Sequence, residues 1–443
     1  MRLSRAATLA LSMLCAAVDA GRAIAEKTDD FHEIRGANYV PSYARNDVQL
    51  WMDYDAEVVD RELGYAARLK LNTVRVFLQF AVYERDPKRF LENFQDFLGL
   101  CQKHRIRMMP VVFDSCFGEF PDLEKYKEKD WMANPGQNRL GREHWPALEG
   151  YVRDVVGRHK LDKRIVMWDV MNEPTCTSFN KPEDKERIWA FLDHFLDYVK
   201  EQDPNHARTV GFEHSSLNQR FLDKLDVLAI HNYRADLRED LREMKALGRK
   251  LGKPVIINEV VGRPHQPFQR VMPILREEKV GWCFWELMLG KTQFSRSNPP
   301  YQGLIYPDGT CYDAEEVAQV MDVPVEEATR LFPQRRSTRE QAWNWYKSQP
   351  WLVGFNYVPT TACNTTEWWQ AETFDPETID RELGWASRLG LNTTRCFIQY
   401  LVWKHDPEGL KKRLEQFLAI AQKHAITVVP VLFDDCAFGD PVQ

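Results

Sequence analysis

Two glutamates that end apolar runs are the residues of this chain best suited to chemistry. Glu173 ends the apolar part of RIVMWDVMNEPTCTS (164–178), and Glu259 ends that of PVIINEVVG (254–262). A local environment can push the pKa of a glutamate, ordinarily about 4.3, up or down, so one such residue can act as an acid and another as a nucleophile. Cleavage of a glycosidic bond needs that division of labour. Taken alone, Asn-Glu-Pro is more typical of a turn, because Pro174 ends the strand.

The elements that must position these glutamates follow a regular pattern. Eight short apolar runs alternate, for the most part, with amphipathic stretches such as 55–70 and 184–202. This alternation predicts a parallel α/β fold, and the count of eight predicts a (β/α)8 TIM barrel. An open doubly wound sheet is the alternative, but none of the runs is followed by a phosphate-binding glycine motif. The predicted strands are 34–40, 71–79, 106–114, 164–171, 207–212, 225–231, 254–258 and 280–286.

Polar and aromatic residues gather at the ends of these runs, where a barrel of this type carries its catalytic residues. The candidates in strand order are Arg75, Asn172, Glu173, His231, Tyr233, Glu259 and Trp285. Individually, His231 could be a satisfied core histidine and Trp285 a packing residue. Glu213 and Glu286 are competing carboxylates, which we rank below Glu259 because neither ends the seventh strand.

The ordered set resembles the clan of retaining glycoside hydrolases that includes glycoside hydrolase family 5, the cellulase-like family. The resemblance covers about 300 residues and rests on Asn-Glu-Pro at strand four, His-x-Tyr at strand six, Glu at strand seven and Trp at strand eight. It implies that Glu173 is the acid/base and Glu259 the nucleophile, and that Asn172 contacts the sugar 2-hydroxyl. It further implies that Arg75, His231 and Tyr233 support the nucleophile and the −1 subsite, and that Trp285 is the sugar platform.

One position departs from the resemblance. Members of the family often carry a histidine after strand three, where this chain has Asp114, Ser115 and Cys116. The subfamily and the substrate therefore stay open. Two long segments, 117–146 and 290–309, follow strands three and eight, and long loops on a catalytic face are usually functional. We expect them to wall a substrate cleft, with Trp131 as a candidate stacking residue.

An internal repeat organises the rest of the chain. RGANYVPSYARN (35–46) returns as VGFNYVPTTACN (353–364), and DRELGYAARLKLNTVRVFLQF (60–80) returns at 380–400. The spacing suits a whole domain rather than a solenoid. We predict a barrel over residues 27–335, a linker or helix over 336–351, and a truncated second copy of the first three β/α units over 352–443. That copy contains Arg395, the counterpart of Arg75, and ends before any counterpart of the two glutamates, as expected of a fragment of a tandem protein or of a shortened reading frame.

The N-terminus indicates where the protein is located, and the composition limits what it can bind. Met1–Ala25 has two arginines, an apolar run and an Ala-Ile-Ala site, which is the layout of a secretory signal peptide. We therefore expect a secreted or periplasmic protein without membrane attachment after cleavage. The chain has 443 residues and a formal charge of −6, which does not suggest a nucleic-acid surface. Its nine cysteines lack metal-ligand spacing, so we expect neither a metal nor a cofactor, and no disulfide pairing can be deduced.

These observations together predict a secreted retaining β-glycoside hydrolase that cleaves a β-linked polysaccharide or oligosaccharide by double displacement. The alternative is a catalytically silent carbohydrate-binding barrel, although the presence of both glutamates speaks against it. A third hypothesis is a metal-dependent barrel hydrolase, but the His-x-His ligand motif expected after strand one is missing from that position. β-Mannan, xylan, cellulose and mixed-linkage glucan all stay open as substrates, as does endo versus exo action.

Overall fold

A computed structural model describes residues 31–116, 121–176, 182–297, 299–335 and 339–434. The predicted signal peptide, Met1–Ala25, lies outside the described residues, as do the last nine residues of the predicted repeat. The chain divides into two compact units, Met1–Arg336 and Ser337–Gln443. The described residues contain no helix with the length and apolar character needed to cross a bilayer.

An eight-stranded parallel sheet forms the centre of the first unit. Its strands are β1 (Arg35–Asn38), β2 (Thr73–Phe77), β3 (Arg107–Asp114), β4 (Trp168–Asn172), β5 (Arg208–Gly211), β6 (Leu228–Asn232), β7 (Val255–Val260) and β8 (Gly281–Phe284). The order is β5-β4-β3-β2-β1-β8-β7-β6, and the paired strands run parallel. The backbone N–H of His231 in β6 donates to the carbonyl of Phe212, just after β5, at 3.0 Å. The two end strands therefore meet, and the predicted eight-stranded parallel barrel is confirmed.

Helices cover the outside of this sheet. They are α1 (Asp47–Met52), α2 (Ala56–Arg68), α3 (Phe80–Arg85), α4 (Pro87–Lys103), α5 (Trp145–Val155), α6 (Pro182–Gln202), α7 (Leu237–Leu251), α8 (Phe268–Glu278), α9 (Ala314–Met321) and α10 (Val325–Leu331). The connection from β5 to β6 instead carries a 3-10 helix, Ser215–Phe221.

Local sequence explains where these helices begin and which face they bury. The Asp55 side chain accepts from the first free N–H groups of α2, and Asp86 does the same for α4, whose first residue is Pro87. Along α4, Phe90, Phe94 and Phe97 recur at helical spacing and are buried. Burial of this stripe holds α4 in place beside β3, which follows it along the chain.

The buried strands are mostly apolar, but they also carry a few polar and charged residues. All five residues of β2 are buried, and they include Arg75, whose exposure is 0%. Burial of an arginine is costly unless its charge is paired and its donors are used. A charged group in this position therefore requires partners on neighbouring strands, and they define the site described below.

The second unit contains a smaller parallel sheet. Its strands are β9 (Gly354–Asn356), β10 (Thr393–Phe397) and β11 (Thr427–Val431), in the order β11-β10-β9, and its helices are α11 (Arg339–Ser348), α12 (Thr365–Trp369), α13 (Pro376–Arg388), α14 (Tyr400–His405) and α15 (Pro407–Lys423). A core around Trp368, Trp369 and Phe417 holds helices α12 to α15 to the sheet. The guanidinium of Arg395 donates to Asn356 at 3.2 Å, in the same relation as Arg75 to Asn38 at 2.8 Å.

Candidate active site

A cavity of about 140 Å³ opens at the C-terminal ends of the barrel strands. Six of the residues singled out in the sequence line it, namely Trp131, Asn172, Glu173, Tyr233, Glu259 and Trp285. The other two, Arg75 and His231, are buried and contact the two glutamates. The structure thus brings all eight residues together, although they lie in or directly after five strands and in one loop.

Arg75 holds the carboxylate of Glu259. Its Nη1 atom donates to Oε1 of Glu259 at 2.6 Å and to Oδ1 of Asn38 at 2.8 Å. The hydroxyl of Tyr233 donates to the other oxygen of Glu259, Oε2, at 2.9 Å. Both oxygens are therefore occupied by donors that favour the anion, and the carboxylate cannot rotate freely.

Glu173 lies opposite Glu259. It follows β4 directly, and its backbone N–H donates to the carbonyl of Gly211 at 2.7 Å. Its φ of 37° is in the left-handed region, which a side chain other than glycine rarely adopts and which is found at functional sites. One carboxylate oxygen of Glu173 lies within 4.8 Å of one of Glu259, with a nitrogen of His231 inside the same radius. The two carboxyl groups therefore face a shared space.

His231 connects the two glutamates. Its Nδ1 lies 2.8 Å from Oε1 of Glu173 and 3.5 Å from Oε2 of Glu259. Burial by itself lowers the pKa of His231, but the two neighbouring carboxylates outweigh it and the pKa is raised. The same contact acts on Glu173: burial works to raise its pKa, yet the hydrogen bond and charge of His231, aided by Cys116, lower it to about 2.

The pKa of Glu259 is raised, first by burial and then by the charge of Glu173, against the opposing effects of His231 and Arg75. These shifts describe protons shared within one cluster rather than fixed to one residue. Transfer of the His231 proton along the 2.8 Å hydrogen bond would make Glu173 a carboxylic acid and would leave His231 neutral. It would also remove the carboxylate charge that raises the pKa of Glu259.

Asp169 in β4 is the partner of Arg75 that the sequence reading missed. It is fully buried, and its Oδ2 accepts from Nε and Nη2 of Arg75 at 2.9 and 2.8 Å. The amide of Asn258 donates to the same oxygen at 2.8 Å, and the backbone N–H of Gly211 donates to Oδ1 at 3.0 Å. The signal available in the sequence was an aspartate inside an otherwise apolar strand, in VMWDVMNEP.

Asp114, at the end of β3, orients two residues that line the cavity. Its carboxylate accepts from the indole N–H of Trp131 at 2.6 Å and from the amide of Asn172 at 3.0 Å. The amide oxygen of Asn172 in turn accepts from Arg75 at 2.8 Å, so the orientation of this side chain is set on both sides. Burial raises the pKa of Asp114 to about 7, and the donors oppose the rise.

Aromatic rings form the walls of the cavity. The rings of Trp131 and Trp285 meet edge to face at 5.4 Å, and Phe294 packs against both. Tyr301 and Gln302 also line the cavity. The segments predicted from the sequence to form walls, 117–146 and 290–309, therefore both contribute to the site, with residues 117–120 and 298 outside the described parts of the chain.

The two competing carboxylates lie elsewhere. Glu213 accepts from the backbone N–H and hydroxyl of Thr175. Glu286 is fully buried, and the hydroxyls of Thr292 and Ser295 donate to its Oε1. Burial raises the pKa of Glu286 to about 7. Neither residue belongs to the lining of the cavity at the strand ends.

Gly211 makes room for the buried network. A Cβ atom at this position would lie 2.6 Å from Nε2 of His231, 2.8 Å from Nη2 of Arg75 and 3.0 Å from Nδ2 of Asn258. Such contacts are shorter than van der Waals distances, so a larger residue would displace the groups that hold the glutamates. The sequence carried no signal for this requirement, because it arises only when β2, β5, β6 and β7 are assembled.

Two groups of side chains in the described parts of the chain have the composition of a metal site. One is Glu173, His231 and Glu259, and the other is Cys116, Glu173 and Cys176. In the first group the ligand atoms already hydrogen-bond to one another and to Arg75 and Tyr233.

Comparison with known proteins gives structural likeness alone. No family model matches the chain, and no curated protein sequence matches it. An exo-β-1,4-mannosidase from Opitutaceae bacterium strain TAV5 is similar in structure at 15% identity and a TM-score of 0.48, covering 86% of this chain and 75% of that one. An endo-1,4-β-mannanase from Rhizomucor miehei is similar at 16% identity and a TM-score of 0.45, covering 67% of this chain and 98% of that one. A GH5_18 protein from Streptomyces cattleya is similar at 14% identity and a TM-score of 0.46, covering 90% of this chain and 99% of that one.

The solved structures similar to this chain thus include glycoside hydrolases of the kind that the sequence resembles. The identities and TM-scores are low, so the function below is drawn from the side chains of this chain itself.

Proposed function

We propose that this protein is a retaining β-glycoside hydrolase of the family-5 type, with Glu173 as the acid/base and Glu259 as the nucleophile. The observation that carries the proposal is the opposition of these two carboxyl groups, with oxygens within 4.8 Å, in a cavity walled by aromatic rings. Retaining enzymes have their two carboxyl groups about 5–5.5 Å apart, whereas inverting enzymes need about 6.5–9.5 Å to fit a water molecule. The separation therefore supports double displacement.

The geometry supports this division of roles. Arg75 and Tyr233 donate to both oxygens of Glu259 and favour its anion, as a nucleophile requires. Glu173 shares its hydrogen bond with His231, from which it can receive a proton. A group that must donate and later accept a proton benefits from such a neighbour, since the acid/base has to change state twice in each turnover.

The proposed reaction has two steps. Glu259 attacks the anomeric carbon while Glu173 protonates the glycosidic oxygen, so the bond to the leaving group breaks and a covalent glycosyl ester forms. Glu173, now a carboxylate, then takes a proton from water, and the water oxygen attacks the anomeric carbon and releases Glu259. Asn172, held between Arg75 and Asp114, would contact the sugar 2-hydroxyl beside the nucleophile.

We propose a β-linked polysaccharide or oligosaccharide as the substrate class. Flat aromatic faces are suitable for the apolar face of a pyranose, and Trp285, which lines the cavity, would serve as that platform. Trp131 contributes to the same wall, but its indole N–H is engaged by Asp114, so we assign it the task of shaping the wall. β-Mannan, xylan, cellulose and mixed-linkage glucan form the substrate panel.

The test is chemical rescue of the nucleophile. We expect Glu259→Ala to lose turnover of an activated aryl β-glycoside and azide to restore it with formation of a glycosyl azide of inverted anomeric configuration. Glu286→Gln, which alters a buried glutamate outside the cavity, is the matched control and should keep wild-type turnover. Full activity of Glu259→Ala without azide would remove Glu259 as nucleophile, and glycan binding without turnover across the panel would favour a silent carbohydrate-binding barrel.

Two features outside the site complete the proposal. Residues 352–443 would be a partial repeat of the first three β/α units, which the recurring motifs at 35–46 and 60–80 support. Residues 1–25 would direct secretion, which the charge and apolar pattern of that segment supports. N-terminal sequencing of the exported protein would test the second point, since a mature chain that still began at Met1 would contradict it.

A further inference from the structure

Two cysteines flank the carboxyl group of Glu173. Cys116 follows β3 and is 3% exposed, and its thiol donates to Oε2 of Glu173 at 3.1 Å. Cys176 follows Glu173 by three residues and is exposed. The two sulfur atoms and a carboxylate oxygen of Glu173 lie within 4.8 Å of one another. Both are free thiols in this structure.

We propose that Cys116 and Cys176 are a redox modification site, in which a reversible disulfide removes the thiol donor from Glu173 and changes the pH dependence of catalysis. The disulfide itself stands on the geometry of the two thiols, and its catalytic consequence rests on the proposed function of Glu173.

The exposure of the two sulfur atoms sets the order of the reaction. Cys176 is accessible and would attack first, as its thiolate, on a small-molecule disulfide such as oxidised glutathione. The first glutathione leaves as a thiol and a mixed disulfide forms on Cys176. Cys116 then attacks the sulfur of Cys176, and the second glutathione leaves as a thiol. Two protein thiols are oxidised, one disulfide is reduced, and the two thiol protons end on the released glutathione.

The backbone around the pair is compatible with closure. The sulfur atoms must approach from within 4.8 Å to about 2.05 Å. Cys176 belongs to a turn in which its N–H donates to the carbonyl of Glu173 at 3.1 Å, and the adjacent Thr175 is held by Glu213. This turn fixes the backbone of Cys176, and we expect rotation of its exposed side chain to supply the movement.

Closure changes the surroundings of Glu173 in one respect. In the dithiol form Glu173 accepts from Cys116 at Oε2 and from His231 at Oε1, and in the disulfide form only the His231 contact is left of these two. The titratable groups that face Glu173 are His231, Glu259, Tyr233, Asp114, Cys116 and Cys176. The disulfide alters only the last two, and it removes the thiol that helps to lower the pKa of Glu173.

The direction of the pH shift follows from the charge of Glu173, because it is the carboxylate anion that loses the thiol donor. The anion of Glu173 is less stabilised after oxidation, so the proton that it shares with His231 is held more firmly and is lost at higher pH. The basic limb of kcat/KM should therefore move up by about one pH unit, the lower end of the change expected for loss of a hydrogen bond to a charged group, because a thiol is a weak donor.

The test uses the full chain in glutathione buffers of increasing oxidised fraction. Peptide mapping by mass spectrometry should find a Cys116–Cys176 cross-link that dithiothreitol reverses, and pH profiles of oxidised and reduced enzyme should differ in the basic limb. Cys176→Ser should abolish both responses, with Cys176→Ala as a second variant if the serine fails to fold. Cys363→Ser, at an exposed cysteine of the second unit, is the matched control and should keep both.

Each outcome bears on one part of the inference. A glutathione adduct on Cys176 without the cross-link, or cross-links to other cysteines only, would overturn the modification site. A verified disulfide with an unchanged basic limb would overturn its catalytic effect. Mapping needs no turnover, so an inactive protein that still formed the disulfide would count against the proposed function alone.

Discussion

The hydrogen bond from Tyr233 to Glu259 gives the most direct measure of how the site sets the nucleophile. Tyr233→Phe removes a hydroxyl that donates to Oε2 at 2.9 Å and leaves the ring and the Arg75 contact in place. A hydrogen bond to a charged group contributes about 1.5–3 kcal/mol. Since one pKa unit corresponds to about 1.4 kcal/mol, the pKa of Glu259 should rise by about one to two units.

The sign of the pH shift follows from the protonation state of Glu259 that loses the Tyr233 hydroxyl. The hydroxyl stabilises the anion of Glu259, so its removal favours the neutral form, and the pKa, already raised by burial, rises further. The reaction needs the anion and fails as the pH drops through this pKa. The acid limb of kcat/KM should therefore move to higher pH by about one to two units in the variant.

The assay is the pH profile of kcat/KM on an aryl β-glycoside for the wild type, Tyr233→Phe and Tyr151→Phe. Tyr151 is a fully buried tyrosine whose hydroxyl donates to the carbonyl of Val112 at 3.3 Å, so the control removes a phenolic hydroxyl outside the site. An acid limb that stayed in place in Tyr233→Phe, or moved to lower pH, would refute the role given to this hydrogen bond. A shift of the same size in Tyr151→Phe would assign the effect to general destabilisation.

Three other predictions concern the buried groups. Gly211→Ala should cost about 1–3 kcal/mol of stability and most of the activity, because its Cβ would overlap the network, whereas Gly99→Ala, in α4 with open space around it, should be neutral or slightly stabilising in urea unfolding. Arg75→Lys should lower the free energy of unfolding by about 3 kcal/mol or more and lower kcat, since three lysine donors cannot replace five close contacts. Glu286 has a pKa of about 7 in the fold, so the stability that its neutral form preserves at low pH is lost as the pH rises from the unfolded pKa, about 4.3, through 7. Glu286→Gln should match the wild type at pH 4 and exceed it by about 3 kcal/mol at pH 9, and the 82% exposed Glu124→Gln should show no such trend.

The barrel could be read from the sequence because its signals are local. Each predicted strand is a short apolar run, and the observed strands lie within these runs or overlap them, as 71–79 does with Thr73–Phe77. The strands are shorter than the runs at most ends, because apolar residues continue into the first buried turns of the loops. The connection from β5 to β6 carries a 3-10 helix, which a pattern based on helical spacing does not reveal.

The supporting residues of the site could not be read in the same way. Asp169 and Gly211 matter through contacts with Arg75 and His231, and these contacts join four strands that are far apart along the chain. The position after strand three looked like a departure from the family pattern. In the structure Asp114 and Cys116 there contact Asn172 and Glu173 directly, so this position belongs to the site.

The amino-acid sequence by itself determined the number and order of the strands and the residue types at their ends, because apolar periodicity and strand-breaking residues act over a few positions. It also singled out eight of the residues that the structure gathers around one cavity. Closure of the barrel alone decided the distances: the approach of Glu173 to Glu259, the hydrogen bond between His231 and Glu173, and the pairing of Arg75 with Asp169. These are interactions between charges in a buried space, and their strength depends on separation and on the exclusion of water, which only the assembled fold sets.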